Sequence, residues 1–208
     1  YNCSSLTSIT IPDGVTSIGN SAFYSCTGLT SFRIPASVTS IGGSAFGGCN
    51  KLQRIYITDI GAWCNISGLD NLMWYGSSNK KLYINNELAT SITIPNGVTA
   101  IPSSAFRYCT GLTSITIPAS VTSIGSSAFS GCYRLVEVYN KSALSITAGS
   151  FDAYYVKNVY TTEGGSKLST DENGYIIYTD GDEKILVSYT GTCLLYTSDA
   201  ADDSLRVD

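Results

Sequence analysis

Residues 6–28 read LTSITIPDGVTSIGNSAFYSCTG, and residues 29–51 read LTSFRIPASVTSIGGSAFGGCNK. The second stretch is the first displaced by 23 positions. Residues 89–111 (ATSITIPNGVTAIPSSAFRYCTG) and 112–134 (LTSITIPASVTSIGSSAFSGCYR) repeat the pair with the same period. Pro recurs at 12, 35, 95 and 118, and Cys at 26, 49, 109 and 132. Self-similarity at a fixed period of this length marks stacked supersecondary units. Within one unit, Ile9 and Ile11 lie two apart on one face of a strand, with Leu6 before them. Pro12 lacks an N–H and ends the ladder. Asp13-Gly14 is a turn signal, and Val15 and Ile18 form a second short apolar stretch. Ser21 ahead of Ala22-Phe23 predicts a capped helical turn ending near Cys26. So small a unit cannot bury its own apolar side, whereas neighbours piled on it can. The fold class expected is therefore a β-rich solenoid with a parallel strand ladder and short helical turns.

The register runs past the clean copies. YNCSSL (1–6) matches YSCTGL (24–29), so the chain begins inside a repeat and at Tyr1 rather than Met, as part of a longer chain would. Leu52 opens another copy and Leu135 a degenerate one, whose Phe151 lies 22 positions after Phe129. The solenoid is expected over 1–157, with an irregular insert at about 58–88. From Ile57 to Ile94 is 37 residues, one period plus 14. Within the insert, residues 60–64 suit a short helix, and Asn85-Asn86 suits a tight hairpin turn. Both Trp residues of the chain fall here. Trp63, Trp74 and Tyr75 form either a small core sealing the insert or an exposed aromatic platform for a sugar or protein.

The period changes over 158–192. Three strands are expected, around 167–169, 175–178 and 184–189, with turns at 171–174 and 180–183. The acidic turns do not have the spacing of a helix–loop–helix calcium site, and hairpin turns are the better reading. Residues 193–208, CLLYTSDAADDSLRVD, resemble a translated sequencing adapter. A tail of that origin would not have been selected to pack, so Leu194, Leu195 and Tyr196 are expected to contribute little to a core.

Composition narrows the function. The formal net charge of −4 comes largely from that tail, where Asp199, Asp202, Asp203 and Asp208 outnumber Arg206. The near-neutral remainder has no electrostatic footprint for nucleic acid. No apolar run approaches the ~18 residues of a membrane span. The chain contains no His, which removes the commonest general base and metal ligand. No nucleotide-binding or metalloprotease motif is present. Neither catalytic residues, nor a metal site, nor a cofactor is expected. Cys at one per 23 residues is not a zinc pattern; a reduced internal ladder of small apolar side chains is expected, although stacked rungs lie within disulfide reach. Asn65 and Asn140 begin glycosylation sequons.

The unit LTSITIPxxVTSIGxxAFxxCxx resembles the BspA-like leucine-rich-repeat family of bacterial surface proteins, which is also abundant in some parasitic protists. The resemblance covers about residues 1–157. It implies a parallel-strand solenoid, an extracellular or cell-surface location, and adhesion to host proteins, surfaces or other cells.

Strand alternation places a ligand. With the aliphatic residues inward, two columns face out: Ser8, Ser31, Arg54, Ser91, Ser114, Glu137, and Thr10, Arg33, Tyr56, Thr93, Thr116, Tyr139. Ser and Thr are the default filler. The departures, Arg33, Arg54, Tyr56, Glu137 and Tyr139, are the candidate contacts for an extracellular protein or glycan. Arg33 beside Tyr56 is alternatively an in-sheet cation–π pair. Two other roles stay open: a spacer or stalk displaying a neighbouring domain, and an accessory region of an extracellular enzyme.

Overall fold

The computed structural model describes residues 2–148, 156–161 and 166–189. Phe151 and the tail 193–208 fall outside them. The described residues form two compact units, dividing at Ser166/Lys167.

In the first unit the repeats stack as parallel rungs. Strands β1 (Ser8–Thr10), β3 (Ser31–Arg33), β5 (Arg54–Ile57) and β6 (Lys81–Ile84) pair in that order, and β7 (Glu87–Leu88) closes the sheet antiparallel to β6. A second ladder runs β8 (Ser91–Thr93), β10 (Ser114–Ile117), β12 (Glu137–Asn140), β13 (Asn158–Tyr160). The parallel ladder thus reaches one rung beyond the expected limit at 157, because Val159 pairs with Val138 and the apolar column continues. Minor two-residue ladders, β2 (Ser17–Ile18) with β4 (Ser40–Ile41) and β9 (Ala100–Ile101) with β11 (Ser123–Ile124), line a second side. Between the ladders lies one core of Leu, Ile, Val, Phe and Cys columns. Phe23, Phe32 and Phe46 pack ring to ring, with centroids 4.7–5.6 Å apart. Cys26, Cys49, Cys109 and Cys132 are buried unbridged thiols in this core. Two of them donate S–H to a carbonyl of the preceding rung, Cys49 to Phe23 and Cys132 to Phe106.

The corner at Ala-Phe is not a helical turn. Ser21, Ser44, Ser104 and Ser127 have φ near +55°, a conformation an N-cap does not adopt. The reason lies in the backbone accounting. Alternate residues turn their N–H along the stack: Ser21 donates to Gly43 O, Phe23 to Ala45 O and Ser25 to Gly47 O. The residues between them bond within their own turn, as Ala22 does to Gly19 O. A helix would have kept every N–H inside one rung, leaving nothing to join it to the next.

The Asp-Gly and Ala-Ser turns are complementary. Ser37 Oγ accepts from Gly14 N at 3.2 Å and donates to Val15 O at 2.8 Å. Ser120 Oγ does the same with Gly97 N and Val98 O. Each Ala-Ser turn therefore ties down the glycine turn of the rung before it. Replacing Ser120 by Ala should cost about 1–2 kcal/mol, read as a lower urea midpoint at an unchanged slope; an unchanged midpoint would refute the tie.

The insert resolves into two pieces. Arg54 pairs with Lys81, 27 positions on, so this rung is four residues longer than the others. The extra residues form α1 (Ile60–Cys64), capped by Asp59, whose carboxylate accepts from Ala62 N at 2.5 Å. Beyond α1 the register recovers, with Ser67 bridging Ser40 and α2 (Asp70–Met73) at the corner. Asn71 Oδ1 there accepts from Ser44 N at 3.2 Å, doing the work of a next-rung carbonyl. The remaining ten residues, from Lys81 to Ser91, are the β6–β7 hairpin and the passage to β8. Asn85 and Asn86, with φ of 51° and 71°, make its turn, the geometry expected of paired Asn in a two-residue hairpin.

The second unit, as far as it is described, is an antiparallel meander of β14 (Leu168–Thr170), β15 (Tyr175–Asp180) and β16 (Glu183–Tyr189). Its acidic turns are occupied by backbone and side-chain partners. Asp171 accepts from Asn173 N and Tyr175 N at 3.0 and 2.9 Å, and Asp180 pairs with Lys167 at 2.6 Å.

Candidate ligand-binding surface

The strand register brings the outward columns together and inserts a rung that the repeat pattern concealed. Arg54 is followed by Lys81, and Tyr56 by Tyr83, rather than by Ser91 and Thr93. Three consecutive rungs therefore carry Arg33, Tyr56 and Tyr83 side by side. The two tyrosine rings stack with centroids 4.7 Å apart and planes 21° apart. Arg33 lies 4.9 Å over the other face of Tyr56 and donates from Nη2 to Asn86 Oδ1 at 2.6 Å. Arg33 is thus held by the in-sheet pair and by the hairpin turn together. In the neighbouring column Arg54 and Lys81 stand directly opposite each other and exposed. Neither side chain makes a hydrogen bond or ion pair among the described residues.

Glu137 and Tyr139 form a different arrangement. Tyr139 stacks on Tyr160, with ring centroids 5.1 Å apart. Glu137 is 0% exposed and so is not an outward contact, contrary to strand alternation. Its Oε2 accepts from Tyr139 at 3.0 Å and Ser166 at 2.9 Å, and Oε1 accepts from Tyr160 at 3.5 Å. A buried carboxylate needs such donors, and here they come from three separate parts of the chain. Burial also pushes the Tyr139 hydroxyl above its usual range. Glu137 is a clamp on the end of the ladder. Tyr160 and Ser166 escaped the sequence reading because they lie beyond the recognisable repeats.

A family model for the BspA type leucine rich repeat region matches the chain in six copies, over residues 1–87 and 77–171. The chain belongs to the BspA-type leucine-rich-repeat family. No curated protein matches it. Among solved structures, it is 25% identical to a leucine-rich repeat protein of Treponema pallidum, covering 74% of this chain and 69% of that one at a TM-score of 0.41. It is 30% identical to a leucine-rich repeat protein of Bacteroides ovatus (64% and 37% covered, TM-score 0.39). A leucine-rich cell surface protein of Faecalibacterium prausnitzii is 22% identical (88% and 54% covered, TM-score 0.33). The chain spans about a third and about half of the latter two proteins.

In this BspA-type module the aromatic trio of the insert does not form one platform. Trp63 is 1% exposed and belongs to the core. Its indole N–H donates to Ala105 O at 3.1 Å, the position that Phe N–H groups fill between regular rungs. Tyr75 is half-buried against the core. Only Trp74, 57% exposed, reaches the surface, and Arg107 lies 4.0 Å from its ring and 4.7 Å from that of Tyr108. Beneath them Lys80 is fully buried. Its Nζ donates to Ser77 O at 2.9 Å and sits 5.3 Å from the Tyr108 ring. Burial lowers Lys80 to about 8, Arg107 adding to the effect and Cys109 opposing it. Arg107 Nε is buried without a hydrogen-bond acceptor.

The crevice beside Trp63, lined by Ile34, Ile57, Ala62 and Ile66, holds only about 10 Å³, room for about one water. Among the described residues no group of His, Cys, Asp and Glu is placed to hold a metal ion. No helix among them is long and apolar enough to cross a membrane. Of the two sequons, Asn140 is buried and its amide is committed to Leu144 O and Ser142.

Proposed function

We propose that this chain is a surface-displayed, non-catalytic binding module whose ligand, an extracellular protein or glycan, lies across the outer face of β3, β5 and β6. The observation that carries this reading is the Arg33–Tyr56–Tyr83 row beside exposed Arg54 and Lys81. At the same columns the rungs of β1, β8 and β10 keep Ser and Thr, the filler of a sheet face with nothing to recognise. The row is prepaid in order: Arg33 is fixed by two contacts before any ligand arrives, so less side-chain entropy is lost on binding. Membership of the BspA-type family supports display outside the cell. The Ser/Thr columns of the β1, β8 and β10 rungs favour a second reading, a spacer that displays a neighbouring domain. A triple variant, Arg33→Ala, Arg54→Ala and Tyr56→Ala, measured against immobilised matrix and cell-surface ligands, separates the two. The binding module predicts at least a tenfold loss of affinity; the spacer predicts none.

A further inference from the structure

Resting on that reading, we infer that the β3–β5–β6 face takes an acidic polysaccharide, held by Arg54 and Lys81 with Arg33 as an ordered third cation. Strands β3, β5 and β6 present Arg33, Arg54 and Lys81 and carry no carboxylate. Arg54 and Lys81 are directly opposite in the parallel register, and like charges placed so repel each other. The equivalent positions of other rungs are Ser8, Ser31, Ser91 and Ser114, then Glu137, which is buried, and Asn158, none of them a cation. The repulsion is confined to the one place where a Tyr stack and an ordered Arg adjoin it. Neighbouring strands lie about 4.8 Å apart, so Arg54 and Lys81 follow one another along the stack, with Arg33 one rung back in the adjoining column, a diagonal track for a linear polyanion.

The geometry argues against the other ligand classes. An extended peptide adds to a free strand edge, yet β3 and β5 are hydrogen-bonded on both sides. A neutral sugar needs an open aromatic face, but both faces of Tyr56 are taken, one by Arg33 and one by Tyr83. The exposed side chains Arg54 and Lys81 are cationic, and charge recognition needs no pocket.

The test uses the full chain and three probes: chondroitin sulfate, poly-L-glutamate and uncharged dextran. Binding to chondroitin sulfate is expected, falling at least tenfold between 50 and 200 mM NaCl, as counterion release requires for several contacts. Arg54→Ser/Lys81→Ser, which installs the residue other rungs carry there, should lower that binding at least tenfold and flatten its salt dependence. Its thermal unfolding should match the parent, which shows that the fold is kept. Equal binding by the double variant, no binding to chondroitin sulfate, or poly-L-glutamate or dextran binding as tightly as chondroitin sulfate would each overturn the inference. If the Arg33/Arg54/Tyr56 variant still lost its surface ligand in that case, the binding-module reading would survive alone.

Discussion

Replacing Trp63 by Ala lowers the stability of the first unit by about 4–8 kcal/mol. Truncating a buried Trp costs ~3–5 kcal/mol through lost contacts and the cavity left behind. Trp63 adds a polar loss, since Ala105 O sits where the stack changes rung and has the indole as its donor. In the regular rungs Ala45 O and Ala128 O receive the N–H of Phe23 and Phe106 at 2.8 Å. Stranding a buried carbonyl costs about 1–3 kcal/mol. Trp63→Phe sets an upper limit on that part, because it keeps one aromatic ring while removing the donor and the rest of the indole. Urea unfolding of the two variants checks the partition. Trp63→Ala matching the parent within ~1 kcal/mol would show that the long rung does not hold the two ladders together.

Alkaline pH will destabilise the same core. Burial pushes Cys64 and Cys109 up to about 12, from an ordinary 9.0. Cys49 rises to about 11, and Cys132 is also well raised. Above pH 9 an unfolded chain loses these protons while the folded chain keeps them, so stability falls as pH rises. Three units amount to at most about 4 kcal/mol for each fully buried thiol. Lys80 works in the opposite sense. Its folded value of about 8 lies below the ordinary 10.5, so the folded state holds fewer protons between those limits and stability rises there. The sum is a shallow maximum between pH 8 and 9, then a steep fall to pH 11. Lys80→Met should be about 1–3 kcal/mol more stable than the parent at pH 7, with the gap closing towards pH 10.5. Cys109→Ala should soften the alkaline fall. Urea titrations at unit pH steps would decide; parallel profiles for the parent and Lys80→Met would remove Lys80 from the account.

Much of the solenoid was legible because the same residues recur at one period. Ile9, Phe32 and Ile55 pair at adjacent rungs as their spacing requires, and Asn85-Asn86 turns the hairpin. The errors share one cause. The Ser-Ala-Phe stretch has the local preference of a capped turn, but its N–H groups are claimed by the next rung. Glu137 alternates outward along its strand, but hydroxyls from Tyr160 and Ser166 close over it. Arg33 and Tyr56 were legible as a pair, whereas Tyr83 and Lys81 were hidden because their rung lacks the Leu-Thr-Ser and Ile-Pro signals.

Repetition within the sequence determined the parallel stack, its inward columns and the short list of outward departures, since each follows from side-chain alternation within a 23-residue unit. Tertiary structure alone decided that the insert is a lengthened rung plus a hairpin, that Trp63 is a core joint, that Glu137 is buried, and that Tyr56 lies between Tyr83 and an Arg33 held by Asn86. Those outcomes depend on which backbone groups of one rung find partners in another, and contacts of that kind leave no periodic mark on the chain.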